Sequence, residues 1–364
     1  MSVLAAIAVL AILIVVHELG HFLAARLQGI HVNRFSIGFG PILWKYQGRQ
    51  TEYAVRAIPL GGFVGFPDDD PESDIPPNDP NLLRNRPILD RAIVISAGVI
   101  ANLIFAYLVF VAQFTGVGIP EKFDYQPGVL ISEVISQTAP AAQAGLQSED
   151  IILAVEGESL GASETAVRTL MAEIQAHPDQ PLDLTVQRGD RQLDLTVTPQ
   201  AGEDGTARIG VQLIPNGSIT EYRRPTGIGE VLSLAAAQFQ NTFVRIVQGF
   251  WSLITNFSSV AGQVAGPVKI VEQGAGLAAA NASSLFPFTA IISINLAIIN
   301  ILPLPALDGG QLVFLLIEAL RGKPLPNRIQ ENVMQTGLVL LLGLGIFLIV
   351  RDTTQLEVFQ KLFQ

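Results

Sequence analysis

Long apolar runs separated by mixed and polar stretches organise this chain. Four of them, at about 3–27, 92–118, 284–303 and 333–350, carry few or no charged residues. Because a helix rises 1.5 Å per residue and a bilayer core is roughly 30 Å thick, each run predicts a membrane-spanning helix. A fifth run, at about 228–257, is interrupted by polar residues and predicts an amphipathic helix lying in the membrane plane rather than a spanning one.

The pattern between the first two spans is typical of strands. Residues 31–66 contain β-prone runs separated by Gly-containing turns, which predicts hairpins. Several of these runs are apolar on both faces, which suits backbone at a membrane surface or lining a protein cavity. A small sheet with no role of its own is the alternative. The acidic, Pro-rich residues 67–80 predict a disordered or loosely held loop.

The stretch 121–200 reads as a soluble domain inserted between two membrane parts, 1–120 and 201–364. It contains several short strands, one helix and Gly-containing turns at a spacing that predicts a compact α+β domain. His177, which precedes Pro178 at the end of that helix, fits a helix cap or a surface residue better than a ligand.

Composition places the chain in the membrane. Hydrophobic residues make up 49% of the chain and charged residues 15%, and the mean hydropathy is +0.42. The chain has no cysteine, so disulfides and thiolate metal ligands are excluded. A net charge of −10 gives no basic surface for nucleic acid, and we expect no nucleic-acid partner.

The first span carries an HExxH arrangement formed by His17, Glu18 and His21. Residues four apart share one face of a helix, so both histidines can reach one metal ion while Glu18 lies beside the first of them. Ionisable residues in a membrane helix are costly and point to function. The spacing therefore predicts a zinc hydrolase site.

A third ligand is expected because catalytic zinc usually takes three protein ligands and one water. Asp308 is the only carboxylate between Gln273 and Ile317, and it follows a turn containing Pro303 and Pro305 that can direct it inward. In a four-span topology the first and third spans cross in the same direction. The histidines and Asp308 then lie at the same depth.

We therefore expect one Zn²⁺ per chain, bound by His17, His21 and Asp308. Zinc lowers the pKa of a coordinated water to about 7. Glu18 is expected to take the proton of the attacking water and to pass it to the leaving amide nitrogen. Asn102, alone in the second span, either bonds to a neighbouring helix or belongs to the active site, and the residues leave both readings open.

At this point the chain resembles a known family, the site-2 proteases, which are intramembrane zinc metalloproteases, and most closely the bacterial branch that cleaves anti-sigma factors. HELGH matches the first family motif. Asn300 to Gly309 matches N-x-x-P-x-P-x-x-D-G, which places Asp308 as the third zinc ligand. SAGVIAN is similar to a second-helix motif that usually reads A-G-P-x-x-N, with Val99 replacing the proline here.

The same resemblance covers the remaining parts of the chain. FSIGFGP and TEYAVRAIPLGGFV look like the membrane-associated β-hairpin elements of the family, and PGVLISEV with APAAQAGLQSEDIILAVEGESL is similar to a PDZ domain. The implied fold is a polytopic α-helical membrane protein of about four transmembrane helices, with a membrane-associated β-hairpin region and an inserted α+β PDZ-like domain. Supporting or substrate-binding roles are implied for Asn102, Asn300, Pro303, Pro305, Gly38, Gly40, Gly61 and Gly62.

The implied substrate is a membrane protein with a single transmembrane helix, cleaved in or near that helix within the lipid bilayer. An edge strand beside the zinc site would hold the unwound substrate, and the PDZ-like domain would screen substrates by size or bind an exposed peptide C-terminus. Arginines and lysines are concentrated after the first and third spans, so the metal side is expected to be cytoplasmic and the PDZ-like domain and both termini periplasmic. A bacterial inner membrane is the expected location.

Three other readings compete with this one. An inactive family relative could act as a PDZ scaffold, but His17, Glu18, His21 and Asp308 are all intact. A metal transporter predicts polar groups along several spans and repeated halves, whereas the polar residues cluster at one depth. A secreted zincin is nearly excluded by the four apolar spans.

Overall fold

The computed structural model describes residues 1–70, 73–135, 138–202, 205–255 and 264–355. The helices are α1 Ser2–Leu27, α2 Ile88–Gly116, α3 Pro140–Gln143, α4 Ala166–Ala176, α5 Ile228–Thr255, α6 Pro267–Ala280, α7 Leu285–Ile301, α8 Asp308–Arg321 and α9 Asn327–Gln355. The strands are β1 Arg34–Gln47, β2 Glu52–Gly65, β3 Ile119–Val134, β4 Ile151–Val155, β5 Glu158–Ser159, β6 Leu182–Arg188, β7 Arg191–Val197, β8 Gln200–Ala201, β9 Ala207–Arg208 and β10 Val211–Arg223.

The chain divides into two compact units. The first consists of Met1–Val117, Thr226–Phe250 and Ala265–Gln364, and the second of Gly118–Pro225 with Trp251–Val264. Within the described residues, four helices of the first unit are long and apolar enough to cross a membrane: Ser2–Leu27, Ile88–Gly116, Ala282–Ile301 and Arg328–Thr354. These helices coincide with the four runs that predict spans, and α5 is not among them.

Small residues bring α1 and α2 into close contact. A β-carbon at Gly20 would lie 2.8 Å from the Ala101 side chain, so any larger residue at this position would push the two helices apart. On the same face of α1, nearer its N-terminus, Val9, Leu13 and Phe288 form a buried apolar cluster that joins it to α7. The helix that carries the histidines is therefore packed against both α2 and α7.

One helix was not expected from the sequence. No element is predicted between the amphipathic helix at about 228–257 and the span that begins at about 284. In the structure α6 ends at Ala280, and Asn281 caps the next short turn by accepting a hydrogen bond from the Ser283 amide at 2.9 Å. The predicted start of the third span at about 284 agrees with this break, whereas α6 itself was not predicted.

Strands β1 and β2 form a small sheet in which Ile37 pairs with both Val55 and Gly62. Residues 62–65 pair with 34–37 only, so within the described residues they form an edge of this sheet. Gly61 has a φ of +109° and a β-carbon there would strike the Phe39 ring, so glycine is required at this turn. The strands at 31–66 are thus present, with an edge toward the end of β2.

The acidic segment after β2 is more tightly held than its composition predicts. The Asp68 carboxylate accepts hydrogen bonds from the Leu83 and Arg84 amides at 3.0 and 3.1 Å. Asp70 accepts from Asn33 at 2.9 Å and pairs with Arg34 at 3.0 Å. Composition alone cannot show such partners, because they lie elsewhere in the sequence.

The second unit is built on a six-stranded sheet. Its main strand order is β10-β3-β4-β6-β7, with β5 paired to β4, and buried residues such as Val129, Ile152, Leu170 and Leu184 form the core between the sheet and α4. Because β10 pairs with β3, the domain boundary expected at residue 200 falls inside this sheet. The sequence pattern did not reveal that β10 belongs to this sheet, because its partner β3 lies almost a whole domain earlier in the chain.

A buried ion pair holds the loop before β4 in this unit. Asp150 is fully buried, accepts from the Gln147 amide at 2.8 Å and binds the Arg188 guanidinium through two contacts of 2.7 Å. The hydrogen bonds from Arg188 to Asp150 raise the pKa of the Arg188 guanidinium above its ordinary value. The guanidinium therefore stays charged throughout the physiological pH range.

A second ion pair, in the first unit, joins α2 to α8. Arg91 donates to both carboxylate oxygens of Glu318 at 2.8 Å, and the two side chains are only 18% and 14% exposed. We expect Arg91→Met to lower the free energy of unfolding by about 2 kcal/mol, because it leaves the Glu318 carboxylate without its partner. Thermal unfolding in detergent measures the change.

Two control variants separate this ion pair from a general effect of charge removal. The double variant Arg91→Met with Glu318→Leu should recover most of the loss, because no unpaired charge is left. Lys122→Ala should have little effect, because Lys122 and Glu221 are each 63% exposed and 3.8 Å apart. Equal losses in the single and double variants would contradict the assignment.

Candidate metal centre

Helix α1 presents His17 and His21 on one face, one turn apart, and turns their rings toward each other. The two Nε2 atoms are 3.2 Å apart. The run from Ala11 to Val16 is apolar and uninterrupted, so the helix continues through the motif without a break. The helical spacing expected from the sequence is therefore confirmed for these two residues.

Asp308 reaches the same point from a different helix. Helix α7 ends at Ile301, the chain turns through the Pro303 and Pro305 segment, and Asp308 is the first residue of α8. Its Oδ2 atom lies 3.3 Å from Nε2 of His17 and 3.5 Å from Nε2 of His21. The three side chains form a group of possible metal ligands, as the depth of the spans predicts.

The spacing of these three atoms fits zinc. With metal–ligand bonds of 2.0–2.2 Å, two ligand atoms of a tetrahedral zinc site are separated by roughly 3.3–3.6 Å. The observed separations of 3.2, 3.3 and 3.5 Å lie within this range or just below it. In addition, Asp308 Oδ2 is buried and has no hydrogen-bond partner among the described residues. A cation between the three atoms removes that penalty.

Helix α2 covers the other side of the histidines. Nδ1 of His21 is 2.8 Å from the Val94 carbonyl oxygen, and Nδ1 of His17 is 3.2 Å from the Asn102 side-chain nitrogen. Between these two residues lies Gly98, where a β-carbon would overlap the His21 ring and lie 2.7 Å from His17 Cε1. Sequence reasoning missed Val94, whose contact is a main-chain atom, and Gly98, although the AG of SAGVIAN was a signal for close approach.

Glu18 lies next to the cluster and faces the β1–β2 sheet. It is half-buried, and a β-carbon at Gly62 would come within 2.9 Å of Glu18 Cγ. The close approach of β2 to this carboxylate depends on the absence of a side chain at Gly62. The edge of the sheet and the carboxylate next to the possible metal ligands are therefore neighbours.

The other residues singled out by the sequence lie in the β1–β2 sheet, in the last turn of α7 and in the segment that follows it. Gly38 and Gly40 have φ values of +85° and +81°, and a β-carbon at Gly38 would lie 2.7 Å from the Ile58 carbonyl oxygen. Asn300 is half-buried in the last turn of α7. Pro303 lies in the following turn, and Pro305 packs against Gly337 of α9.

The turn before Asp308 contains a strained residue. Ala306 has a φ of +69°, a left-handed conformation that costs a non-glycine residue of order 1 kcal/mol. Its amide lies 3.3 Å from the Met334 sulfur, which is a weak acceptor. At Gly309 and Gly310 a β-carbon would overlap the main chain of α7 and of the turn, so the first turn of α8 can lie close to them.

An HExxH pair on one helix, with a carboxylate from a second helix beside it in an apolar helical unit, offers the donors that a membrane-embedded zinc hydrolase needs. The chain belongs to peptidase family M50, whose family model matches residues 5–344. It is a zinc metalloprotease and a membrane protein.

Several relatives match along most or all of their length. A protein of Nostoc sp. named "Putative zinc metalloprotease" is 63% identical over all of both chains. The membrane metalloprotease ARASP, chloroplastic, of Arabidopsis thaliana is 49% identical over 99% of this chain and 80% of that one. Protease RseP of Yersinia pestis is 32% identical over 95% of this chain and 97% of that one.

Among solved structures, the PDZ domain of an SdrC-like protein from Listeria monocytogenes is similar to part of this chain. The match covers 26% of this chain and 94% of that one, with 22% identity and a TM-score of 0.22.

Proposed function

We infer that this zinc metalloprotease hydrolyses a peptide bond in or near the transmembrane segment of a single-span membrane protein, with His17, His21 and Asp308 as the ligands of one Zn²⁺. The observation that carries this proposal is the convergence of His17 Nε2, His21 Nε2 and Asp308 Oδ2 at 3.2–3.5 Å inside the helical unit. Regulated release of an anti-sigma factor is an example of such a reaction.

Glu18 is the proposed general base. Bound zinc supplies a Lewis acid that acidifies water and polarises the scissile carbonyl. The Glu18 carboxylate takes the proton of the attacking water and then delivers it to the leaving amide nitrogen, so that the peptide bond breaks to a carboxylate and an amine. Its half-buried position beside the two histidines supports this role.

The edge formed by residues 62–65 is the proposed binding site for the unwound substrate. A transmembrane helix conceals its amides in its own hydrogen bonds, and an unpaired strand edge can replace those bonds by pairing with an extended peptide. Because Gly62 approaches Glu18 closely, a peptide on this edge would lie next to the general base. Gly38, Gly40 and Gly61 support the sheet that carries this edge.

The other end of the same sheet is proposed to lie at the membrane surface. Leu43, Trp44 and Tyr46 are 70%, 56% and 59% exposed, which is unusual for large apolar and aromatic residues in water. Aromatic rings of this kind favour the interface between lipid and water. Lys45, whose ammonium group pairs with Glu52 at 3.2 Å, offers a polar contact to the same interface.

Asn300, Pro303 and Pro305 are proposed to support the metal centre through the turn before α8. The two prolines remove main-chain donors that a continuous helix would need, so the helix ends and Asp308 can begin a new one. The contact of Pro305 with Gly337 anchors this turn to α9. The strain at Ala306 is maintained by these neighbours.

For the location we propose a bacterial inner membrane, with the metal centre toward the cytoplasm and the PDZ-like unit and both termini outside. The support is the concentration of arginines and lysines after the first and third spans. The PDZ-like unit would then act as a screen on the outer side, so that bulky external domains are removed before a substrate enters.

The ligand assignment is tested with Asp308→Asn. This variant keeps the size of the side chain but loses the charge that favours a dication, so we expect its zinc content to fall at least tenfold and reporter cleavage to fall with it. Zinc is measured by atomic absorption on protein purified in detergent. Cleavage is measured on a single-span reporter with its external domain removed.

Glu331→Gln, at an exposed position of α9, is the matched control and should retain zinc and activity. A second reporter that keeps a bulky external domain should be cleaved more slowly by the wild type. Full zinc occupancy in Asp308→Asn would remove Asp308 from the ligand set. Cleavage restricted to soluble peptides, with no product from either reporter, would contradict the proposed substrate class.

A further inference from the structure

We propose that Asn102 is a positioning residue that fixes the tautomer of His17. Its side-chain oxygen accepts a hydrogen bond from Nδ1–H of His17 and thereby leaves Nε2 free to bind the metal. The inference rests on the proposed role of His17 as a zinc ligand and deepens it, because it explains how the ligand is held in the protonation form that zinc requires.

His21 shows which tautomer a zinc-binding histidine requires. Its Nδ1 lies 2.8 Å from the Val94 carbonyl oxygen, and a carbonyl only accepts hydrogen bonds. Nδ1 of His21 must therefore carry the proton, and Nε2 presents its lone pair toward Asp308 and His17. Histidine ligands in metal sites are commonly held in this way by an acceptor behind the ring.

His17 needs an equivalent acceptor, and Asn102 is the side chain that reaches its Nδ1. The Asn102 side chain is fully buried, and its nitrogen is placed 3.2 Å from Nδ1 of His17. A side-chain amide nitrogen only donates, so this orientation would put the proton of His17 on Nε2, which points at Nε2 of His21. That proton would occupy the place of the metal.

Rotating the amide by half a turn exchanges its nitrogen and oxygen without changing its shape. The Asn102 oxygen, which is buried and without a partner among the described residues, then accepts from Nδ1–H of His17. Each orientation leaves one polar atom of the amide without a partner, so hydrogen-bond counting does not choose between them. The choice follows from the need for a free Nε2 on both histidines.

The main chain of Asn102, rather than its side chain, provides the contact between helices. Ser293 Oγ of α7 donates to the Asn102 carbonyl oxygen at 2.8 Å, and both residues are fully buried. The side chain is therefore not required to join α2 to α7, which was the competing reading of a lone Asn in a span. Among the described residues, the hydrogen-bond contact of this side chain is with His17.

The helical spacing on α2 places the two acceptors on one face, each beside one of the two histidines. Val94, Gly98 and Asn102 are four residues apart and share one face. Val94 supports His21, Asn102 supports His17, and Gly98 leaves room between them for both rings. A helix that contributes no ligand thus determines which nitrogen of each histidine faces the metal.

Zinc affinity of three variants tests the proposal. Asn102→Leu removes the acceptor at nearly constant volume, and we expect its zinc dissociation constant to rise 10- to 100-fold, on the order typical for the loss of such an outer partner. Asn102→Asp keeps an acceptor in place and should stay within about threefold of the wild type. Asn295→Leu is the matched control and should not change the affinity, because the Asn295 amide bonds to Ile291 of its own helix at 3.1 Å.

Affinity is measured by competition with a chelator on the full chain in detergent, and thermal unfolding of the zinc-free proteins reports on folding. A purely structural role predicts that Asn102→Leu loses thermal stability without a specific loss of zinc, and that Asn102→Asp gives no rescue. Either result would overturn the proposal. Neither readout needs proteolysis, so failure here is distinct from failure of the proposed substrate class.

A second measurement uses only the wild type and therefore does not depend on the folding of any variant. The chain has four histidines, so ¹⁵N spectra of histidine-labelled, zinc-loaded wild type can be assigned to individual rings. We expect His17 to show a protonated Nδ1 and an unprotonated Nε2. The opposite tautomer, or an equal mixture of the two, contradicts the proposal.

Discussion

Glu18→Gln is expected to retain its zinc and to cleave a single-span reporter at least 100-fold more slowly than the wild type. Glutamine has the shape of glutamate and can still contact the strand edge at Gly62, but it cannot take a proton from water. General acid–base catalysis typically raises the rate by a factor of about 10² to 10⁴. Glu18 is proposed to act first as the base and then as the acid. The loss should appear in kcat rather than in zinc content.

The comparison with Asp308→Asn makes this expectation specific. Both substitutions replace one carboxylate with an amide near the same histidines, but Asp308→Asn should lose metal and Glu18→Gln should not. Cleavage rate and zinc content measured on the same preparations separate the two roles. If Glu18→Gln binds zinc and cleaves as fast as the wild type, Glu18 is not the general base.

Gly98→Ala is expected to lower both zinc content and reporter cleavage at least tenfold. The added carbon would overlap the His21 ring and lie 2.7 Å from His17 Cε1, a distance that packed atoms do not tolerate. The rings cannot retreat easily, because α1 and α2 are already in close contact at Gly20. We therefore expect the two Nε2 atoms to be displaced from Asp308.

Gly116→Ala, on the same helix, is the matched control. A β-carbon at Gly116 meets nothing within 4 Å, so this variant adds the same methyl group to the same helix without a clash. The difference between the two variants thus isolates the effect of contact with the histidines. Wild-type zinc binding in Gly98→Ala would show that the rings adjust at little cost.

The proposed ligand set was accessible to sequence reasoning because it depends on local periodicity and on depth in the membrane. Two histidines four apart on a helix share a face whatever the rest of the fold does, and span counting places Asp308 at the same level. The structure brings these three residues together. Glu18 follows from its position beside His17.

The residues that were missed act through atoms or partners that a residue pattern does not show. Val94 uses its carbonyl oxygen, which every residue has, and Gly98 acts through the absence of a side chain. The pairing of β10 with β3 and the bonds of Asp68 join segments far apart in sequence. Asn102 was noticed, but its partner could be identified only once α1 and α2 were placed side by side.

The position of Asp308 at the start of α8 also bears on when this protease becomes complete during synthesis. On the proposed ligand set, a growing chain that has made both histidines still lacks its last donor until α7 and the turn after it have followed. All of β3 to β10 is made in that interval. If the second unit screens substrates as proposed, the screening unit is therefore made before the proposed metal site can be completed.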